Sequence, residues 1–372
     1  MILIKDTTLE AGWITHPFQL GRPSVVVVVK ATFDIPLDGG TCTLSDEQQP
    51  LTGDVYEDDD VERPLRTAHD FAVMKPQGET YLAGTCHAPH GRPVTSLLVA
   101  FRVGAVAKEL AVIGDRYWIG GLLGGMSEPV PFTSMPLSWA GAFGGRSSKA
   151  NPLGKGLDPV LVDGEPRYLL PNIEDRTRLL RSSQAAPEPH GAFPIPVLWP
   201  RRVALAGTFD RAWQRTRWPH MPLDARPQFY MVAPPDQRIV GFWRGDEPID
   251  LVHLHPERPK IRARLPGVVA RCLVHERAER GKPAATHEVS LALDTLVLDA
   301  DALKVTAVWR GHREVRTARY EELQALFVTH DVLDALRTKD ELDRAYAAEL
   351  ARRDEEDRGF LPEPMPSGGG AA

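Results

Sequence analysis

The apolar positions of this chain change their spacing three times. In residues 24–35, SVVVVVKATFDI, β-branched side chains dominate, and Val25 to Val29 run without a polar break, the pattern of a buried strand. Asp38, Gly39 and Gly40 follow as turn chemistry, so a hairpin is expected there. Residues 81–86, 95–103 and 108–118 read as further strands separated by Pro or Gly. After Pro235 the strand signals return at 239–243, 251–254, 261–265, 268–276 and 303–310. Val289, Leu291 and Leu293 alternate with Glu288, Ser290 and Ala292, which predicts one strand with a wet face. From Tyr320 to Asp357 the spacing becomes three and four, through Leu323, Leu326, Phe327, Leu333, Leu336, Leu342, Tyr346 and Leu350. That predicts one or two helices.

Between these parts the pattern fits neither period. Residues 131–156, PFTSMPLSWAGAFGGRSSKANPLGKG, hold three prolines and five glycines, which deny the backbone a regular ladder. Phe132, Met135, Leu137, Trp139 and Phe143 nevertheless recur every two to four residues, so the segment has rings to bury. An ordered loop of this length is usually functional. Within residues 206–222 a short helix is expected at 209–217, with Thr208 as its cap.

The expected fold is therefore mainly β: two antiparallel sheet regions bridged by a long ordered Pro/Gly-rich centre, with C-terminal helices. The divisions are 1–119 for the first β region, 120–235 for the centre, 236–317 for the second β region, 318–358 for a helical segment and 359–372 for a disordered tail. The matching pieces GDRYW (114–118) and AVWRG (307–311) raise the question of a duplication.

Composition narrows the function classes. A formal charge of -6 on 372 residues offers no electrostatic footprint for nucleic acid or an anionic membrane. Cys42, Cys86 and Cys272 are odd in number and form no CxxC pair, which points to a reducing, cytoplasmic setting. The N-terminus lacks the apolar core of a secretory signal, and the longest apolar run is the five valines 25–29.

The usual catalytic signatures are missing from the sequence. GxSxG, HExxH, GxGxxG and a phosphate-binding GxxxxGK[ST] are all unmet, the last because Gly154-Lys155 is followed by Gly156. The acidic run EDDDVE (57–62) lacks the spacing of a calcium loop and reads as a solvated or partner-facing loop. His253 and His255 share one strand face, a zinc-compatible spacing without a third local ligand. Glu174, Asp175 and Asp210, in the same centre as Trp139, Trp199 and Trp213, would suit a carbohydrate-active site; the plainer role is pairing with unladdered backbone N–H groups. No catalytic, metal-binding or cofactor-binding residue is assigned.

The ordered series GDRYW, PFTSMPLSWAGAFGG, NPLGKG, LPNIED, WPRR, AGTFDRAW, DTLVLD and VWRG resembles a bacterial family catalogued as a domain of unknown function and linked to type VI secretion. The resemblance covers about residues 24–311. It implies an adaptor or chaperone that holds a secretion effector, or its spike-tip (PAAR-like) module, in the cytosol for loading on the spike protein, without catalysis and without nucleic-acid or membrane partners. The family pattern falls on Gly114, Asp115, Arg116, Pro131, Phe132, Met135, Pro136, Ala142, Gly144, Gly145, Asn151, Pro152, Gly154, Gly156, Pro171, Asn172, Glu174, Gly207, Asp210 and Trp213. With Trp139 and Phe143 these are the candidate partner-binding or signature residues. The chain departs from the pattern at Gln77-Gly78-Glu79. A protein that grips another polypeptide needs aromatic anchors on a rigid frame and no nucleophile.

Overall fold

The computed structural model describes residues 1–16, 24–119, 125–278, 283–314 and 323–359. The expected tail at 359–372 lies, beyond Gly359, outside the described residues. The protein is mainly β, built on three large sheets.

The five-valine strand organises the first sheet. Ser24–Asp34 runs antiparallel to Lys304–Glu314 on one side and to Glu10–Thr15 on the other. Beyond Lys304–Glu314 lie Ala292–Asp299, then Glu79–His87 parallel to it, then Ser134–Leu137 at the edge. Both faces of the valine run are buried. Val25, Val27 and Val29 enter the main core, whereas Val26 and Val28 pack with Ile14, Leu51 and Phe71. The expected hairpin forms: Thr43–Leu44 folds back on Phe33 and Asp34, with Gly39 at φ +86°.

The second sheet places Ile173–Glu174, Val106–Ile113, Ser96–Val103, Pro248–Val252, Lys260–Arg264 and Gly40–Thr41 side by side. Its alternating inward residues, among them Val99, Phe101, Val103, Leu110, Ile249 and Ile261, meet the valine face in the main core. The third sheet holds Ile2–Asp6, Leu323–Val332, Val268–Glu276 and Ala285–Val289.

Several expectations need correction. The two β-rich parts of the sequence do not make separate sheets: in each of the first two sheets a pair of adjacent strands from residues 236–317 lies between strands from residues 1–119, and parallel pairs occur at Glu79–His87 with Ala292–Asp299 and at Ile2–Asp6 with Leu323–Val332. The helical reading of 318–358 fails in its first half, because Leu323–Val332 is a strand. Leu326 and Val328 face the main core while Ala325 and Phe327 face a second cluster, so burial on both sides erased the period of two. The helix is Lys339–Gly359. It opens on a reciprocal cap in which Thr338 Oγ1 accepts from Glu341 N–H and Glu341 accepts from Thr338 N–H at 2.7 Å, and it docks Leu342 and Tyr346 on Phe327. The alternating stretch at 288–293 is divided between Ala285–Val289 and Ala292–Asp299, and 239–243 forms no strand. GDRYW begins where Val106–Ile113 ends, whereas AVWRG lies inside Lys304–Glu314, so the two are not equivalent positions.

The irregular centre contributes an edge strand to each of the first two sheets, Ser134–Leu137 to one and Ile173–Glu174 to the other. Trp139, Phe193, Ile195 and Trp199 from the same stretch are buried in the main core. Among the described residues no helix is long and apolar enough to cross a membrane.

Candidate protein-binding groove and the signature residues

Asn151 sits at the middle of the centre, fully buried. Its Nδ2 donates to the carbonyls of Trp139 at 2.8 Å and Phe143 at 3.1 Å, two acceptors that no sheet ladder reaches. Its own backbone carbonyl receives Gly145 N–H at 3.0 Å. The glycines around it are there for space. A Cβ on Gly144 would lie 2.2 Å from the Asn151 carbonyl oxygen, and one on Gly154 would lie 2.6 Å from the Ala142 oxygen and 2.7 Å from the Gly144 Cα. Phe143–Gly144 and Lys155–Gly156 then pair as a short parallel ribbon. Pro152 follows Asn151 on the wall of the groove described below.

Sequence motifs far apart meet beside this turn. Asn172 Nδ2 donates to the Ile113 carbonyl and to Asp115, while its Oδ1 accepts from Lys155 Nζ at 2.7 Å. The hydrogen bond that Asn172 donates to Asp115, with Lys155 nearby, holds the Asp115 carboxyl below its usual range despite partial burial. Arg116 pairs with the buried Glu174 and also reaches the Pro171 carbonyl. The other Glu174 oxygen accepts Leu180 N–H at 2.6 Å. Burial pushes the Glu174 carboxyl up, against the pull of Leu180 N–H and Arg116. GDR, NPLGKG and LPNIE are thus one bonded assembly.

The candidate residues divide accordingly. Trp139 is buried, donates from Nε1 to the Pro194 carbonyl at 3.0 Å, and meets Phe193 edge-on. The Arg201 guanidinium lies over Trp139 and Trp199, and burial lowers its pKa to about 10. Phe143 is buried against Leu170 and Leu180, and Phe132 packs on the main core. These rings hold the scaffold. Asp210 and Trp213 lie elsewhere, in the short helix Arg211–Thr216, whose cap is Asp210 rather than the expected Thr208: Asp210 accepts Trp213 N–H at 2.7 Å, and Thr208 bonds Asp224 instead.

Of the suggested acidic residues, Asp210 does not line the cavity shared by Glu174 and Asp175, and the two histidines do not pair on one strand. Both Glu174 oxygens are bonded within the fold, Asp175 closes its own turn on Thr177, and Asp210 is a cap. A small cavity of about 200 Å³ is lined by Glu174, Asp175 and Glu188 together with Phe143, Arg178 and His190. His253 falls beyond the strand Pro248–Val252 at φ +57°, and His255 Nδ1 accepts from Glu257 and Arg258 N–H, so the two do not share a strand face. Among the described residues no three His, Cys, Asp or Glu gather as a metal site. Burial raises Cys42 to about 11 and Cys86 to about 12.

Sequence reasoning missed a buried ionic layer on the outer face of the first sheet. Lys75 Nζ meets Glu79 at 2.5 Å, Lys30 meets Asp70 at 2.9 Å, and Arg310 pairs with Asp294, all nearly inaccessible to water. Glu79, from the stretch that departs from the family pattern, also receives Val232 and Ala233 N–H. It anchors the end of the irregular centre to the sheet. Only the unusual polar residues within the flanking strand signals, such as Lys30 and Arg310, hinted at it.

What remains open is a groove of about 980 Å³ beside the Asn151 turn. Its walls are Pro152–Gly156 and 158–160 of the centre, Val61 and Glu62 of the acidic loop, and Leu198–Pro200. Val61 and Leu198 are 70% and 74% exposed there, with Arg146, Lys155, Glu62 and Asp158 interspersed. Next to it stands the isolated ribbon Pro159–Val162 and Glu165–Tyr168, which pairs with no larger sheet and exposes Leu161.

No curated protein and no solved structure matches the chain. The model of an uncharacterized protein family conserved in bacteria, DUF2169, matches residues 20–310, and the chain belongs to that family.

Proposed function

We propose that this chain is a non-catalytic adaptor or chaperone that binds a type VI secretion effector, or its spike-tip module, in the cytosol and promotes its loading on the spike. The observation that carries the reading is the groove: Val61 and Leu198 stand exposed on its sides, and the Asn151 turn holds its Pro152–Gly156 wall, the arrangement a protein-gripping surface needs. The signature carboxylates support it as well, since Asp115 and Glu174 are bonded into the frame.

The test is co-expression with the effector or spike protein encoded beside the gene. The partner should co-purify, and Leu198→Asp or Val61→Asp should lower capture at least tenfold with an unchanged melting temperature, because both side chains are exposed. Absence of capture by the unaltered chain, or turnover of a glycan pool that disappears in Glu174→Gln, would overturn the proposal.

A further inference from the structure

Residues 207–226 leave the body of the protein and return to it as one lobe. Its base is closed by Arg226 N–H on the Leu205 carbonyl at 2.8 Å and by Thr208, whose N–H and hydroxyl donate to Asp224 at 3.0 and 2.7 Å. Inside, Trp213 Nε1 donates to the His220 carbonyl at 2.7 Å and Phe209 meets Trp213 edge-on at 4.8 Å between centroids. Although the lobe is bonded to itself, Phe209, Trp218 and Leu223 are 53%, 67% and 84% exposed. Three large apolar side chains left in water on one short excursion call for a cover.

The charges of the lobe indicate which cover. It carries Arg211, Arg215, Arg217 and Arg226 against Asp210 and Asp224. Both aspartates are engaged internally, one as the helix cap and one at the base. None of the four arginines forms an ion pair among the described residues; Arg215 and Arg217 donate from Nε to backbone carbonyls. A cavity of about 220 Å³ opens between the lobe and the body, with His16, Arg217, His220, Leu223, Arg226 and Tyr230 on its walls and no Asp or Glu among them. Burial and the neighbouring His220 hold His16 below its usual range, so near neutral pH the positive potential comes from the arginines.

We infer that this lobe docks an acidic polypeptide segment of a partner that also carries a leucine or phenylalanine. The carboxylates pair with Arg217 and Arg226, and the apolar side chain enters the cavity beside Leu223. Charge complementarity selects this occupant: a locally cationic surface stands on a chain whose formal charge is -6. A nucleic acid fits less well, because the cavity admits one side chain rather than a run of stacked bases, and the rest of the chain repels a polyanion. The inference rests on the adaptor reading only for what the segment belongs to.

The experiment is fluorescence anisotropy of the full chain with a labelled peptide of alternating Glu and Leu/Phe. The controls are the same peptide with Lys for Glu, the same with Ala for Leu/Phe, and a single-stranded DNA. Only the first should bind, with affinity falling at least tenfold on raising NaCl from about 50 to about 500 mM. Arg226→Glu and Leu223→Ser should each weaken it at least tenfold, and Leu198→Asp in the groove should leave it unchanged. Leu223 is so exposed that its variant keeps the fold, which a thermal melt checks. No binding, equal binding of the alanine peptide, preference for DNA, or indifference to Leu223→Ser each overturns the inference. If the unaltered chain binds the peptide but captures no effector, the adaptor reading falls and the lobe stands; capture without peptide binding gives the converse.

Discussion

Asn151→Asp is the sharpest probe of the turn on which the centre is built. The substitution keeps the shape and replaces the donating amide with an oxygen that faces the carbonyls of Trp139 and Phe143, now at 2.8 and 3.1 Å from Nδ2. Two hydrogen bonds are lost; the Phe143 carbonyl loses its donor, at about 1–3 kcal/mol, while the Trp139 carbonyl keeps only Ala142 N–H at 3.2 Å, so the ionised variant should be destabilised by about 2–4 kcal/mol. That is a large share of a typical domain's total of about 5–15 kcal/mol. Burial and the two facing carbonyls would raise the folded-state pKa of the new carboxyl. The unfolded chain ionises first as pH rises, so the deficit relative to Asn151 grows by about 1.4 kcal/mol per pH unit above the unfolded value of about 3.9, until the folded value is reached. Urea unfolding followed by tryptophan fluorescence, with Trp139, Trp199, Trp243 and Trp309 as buried reporters, reads this at about pH 5 and about pH 7.5. The stability gap should be wider at the higher pH, and Asn151→Ala should show a gap that does not move with pH. An aspartate variant as stable as the unaltered protein at pH 7.5, or a gap independent of pH, would refute the assignment of Nδ2 as the donor to both carbonyls.

Trp139→Ala should cost about 3–5 kcal/mol and lower the melting temperature, whereas Trp218→Ala, largely exposed, should leave the melt in place; a reversed order would contradict the burial. Glu79→Ala removes the carboxylate paired with Lys75 and leaves two backbone N–H groups without that acceptor, and denaturant titration should show a loss of about 3–5 kcal/mol, with a value under 1 kcal/mol counting against the buried pair. The thiols of Cys42, Cys86 and Cys272 are buried and pushed up by that burial, so a disulfide exchange reagent at pH 8 should find none of them in the native protein and all three after unfolding. Rapid native labelling would show that one of them is open to solvent.

The sequence by itself determined the local elements wherever a single physical signal acted. The valine run could only be a buried strand, the turn at Asp38 to Gly40 reversed it, and Val268–Glu276 showed its apolar length without competition. It also marked the motifs that later proved to be bonded together, but not the reason for them. That Asp115, Lys155 and Asn172 share hydrogen bonds, and that Glu174 holds Arg116, depends on contacts between segments tens of residues apart, which no local period encodes. The same distance effect explains the errors. Leu323–Val332 has a helical spacing because two different cores claim its two faces, and Trp139 and Phe143, whose composition fitted either a partner contact or the scaffold, are covered by the rest of the chain. Only the tertiary structure decided that the centre's rings face inward, that Lys75 and Glu79 can be buried because each neutralises the other, and that the open surface lies instead on Leu198, Val61 and the arginine-bearing lobe. Burial is a property of the packed whole, and a residue's neighbours in sequence do not fix which of its faces the rest of the chain will cover.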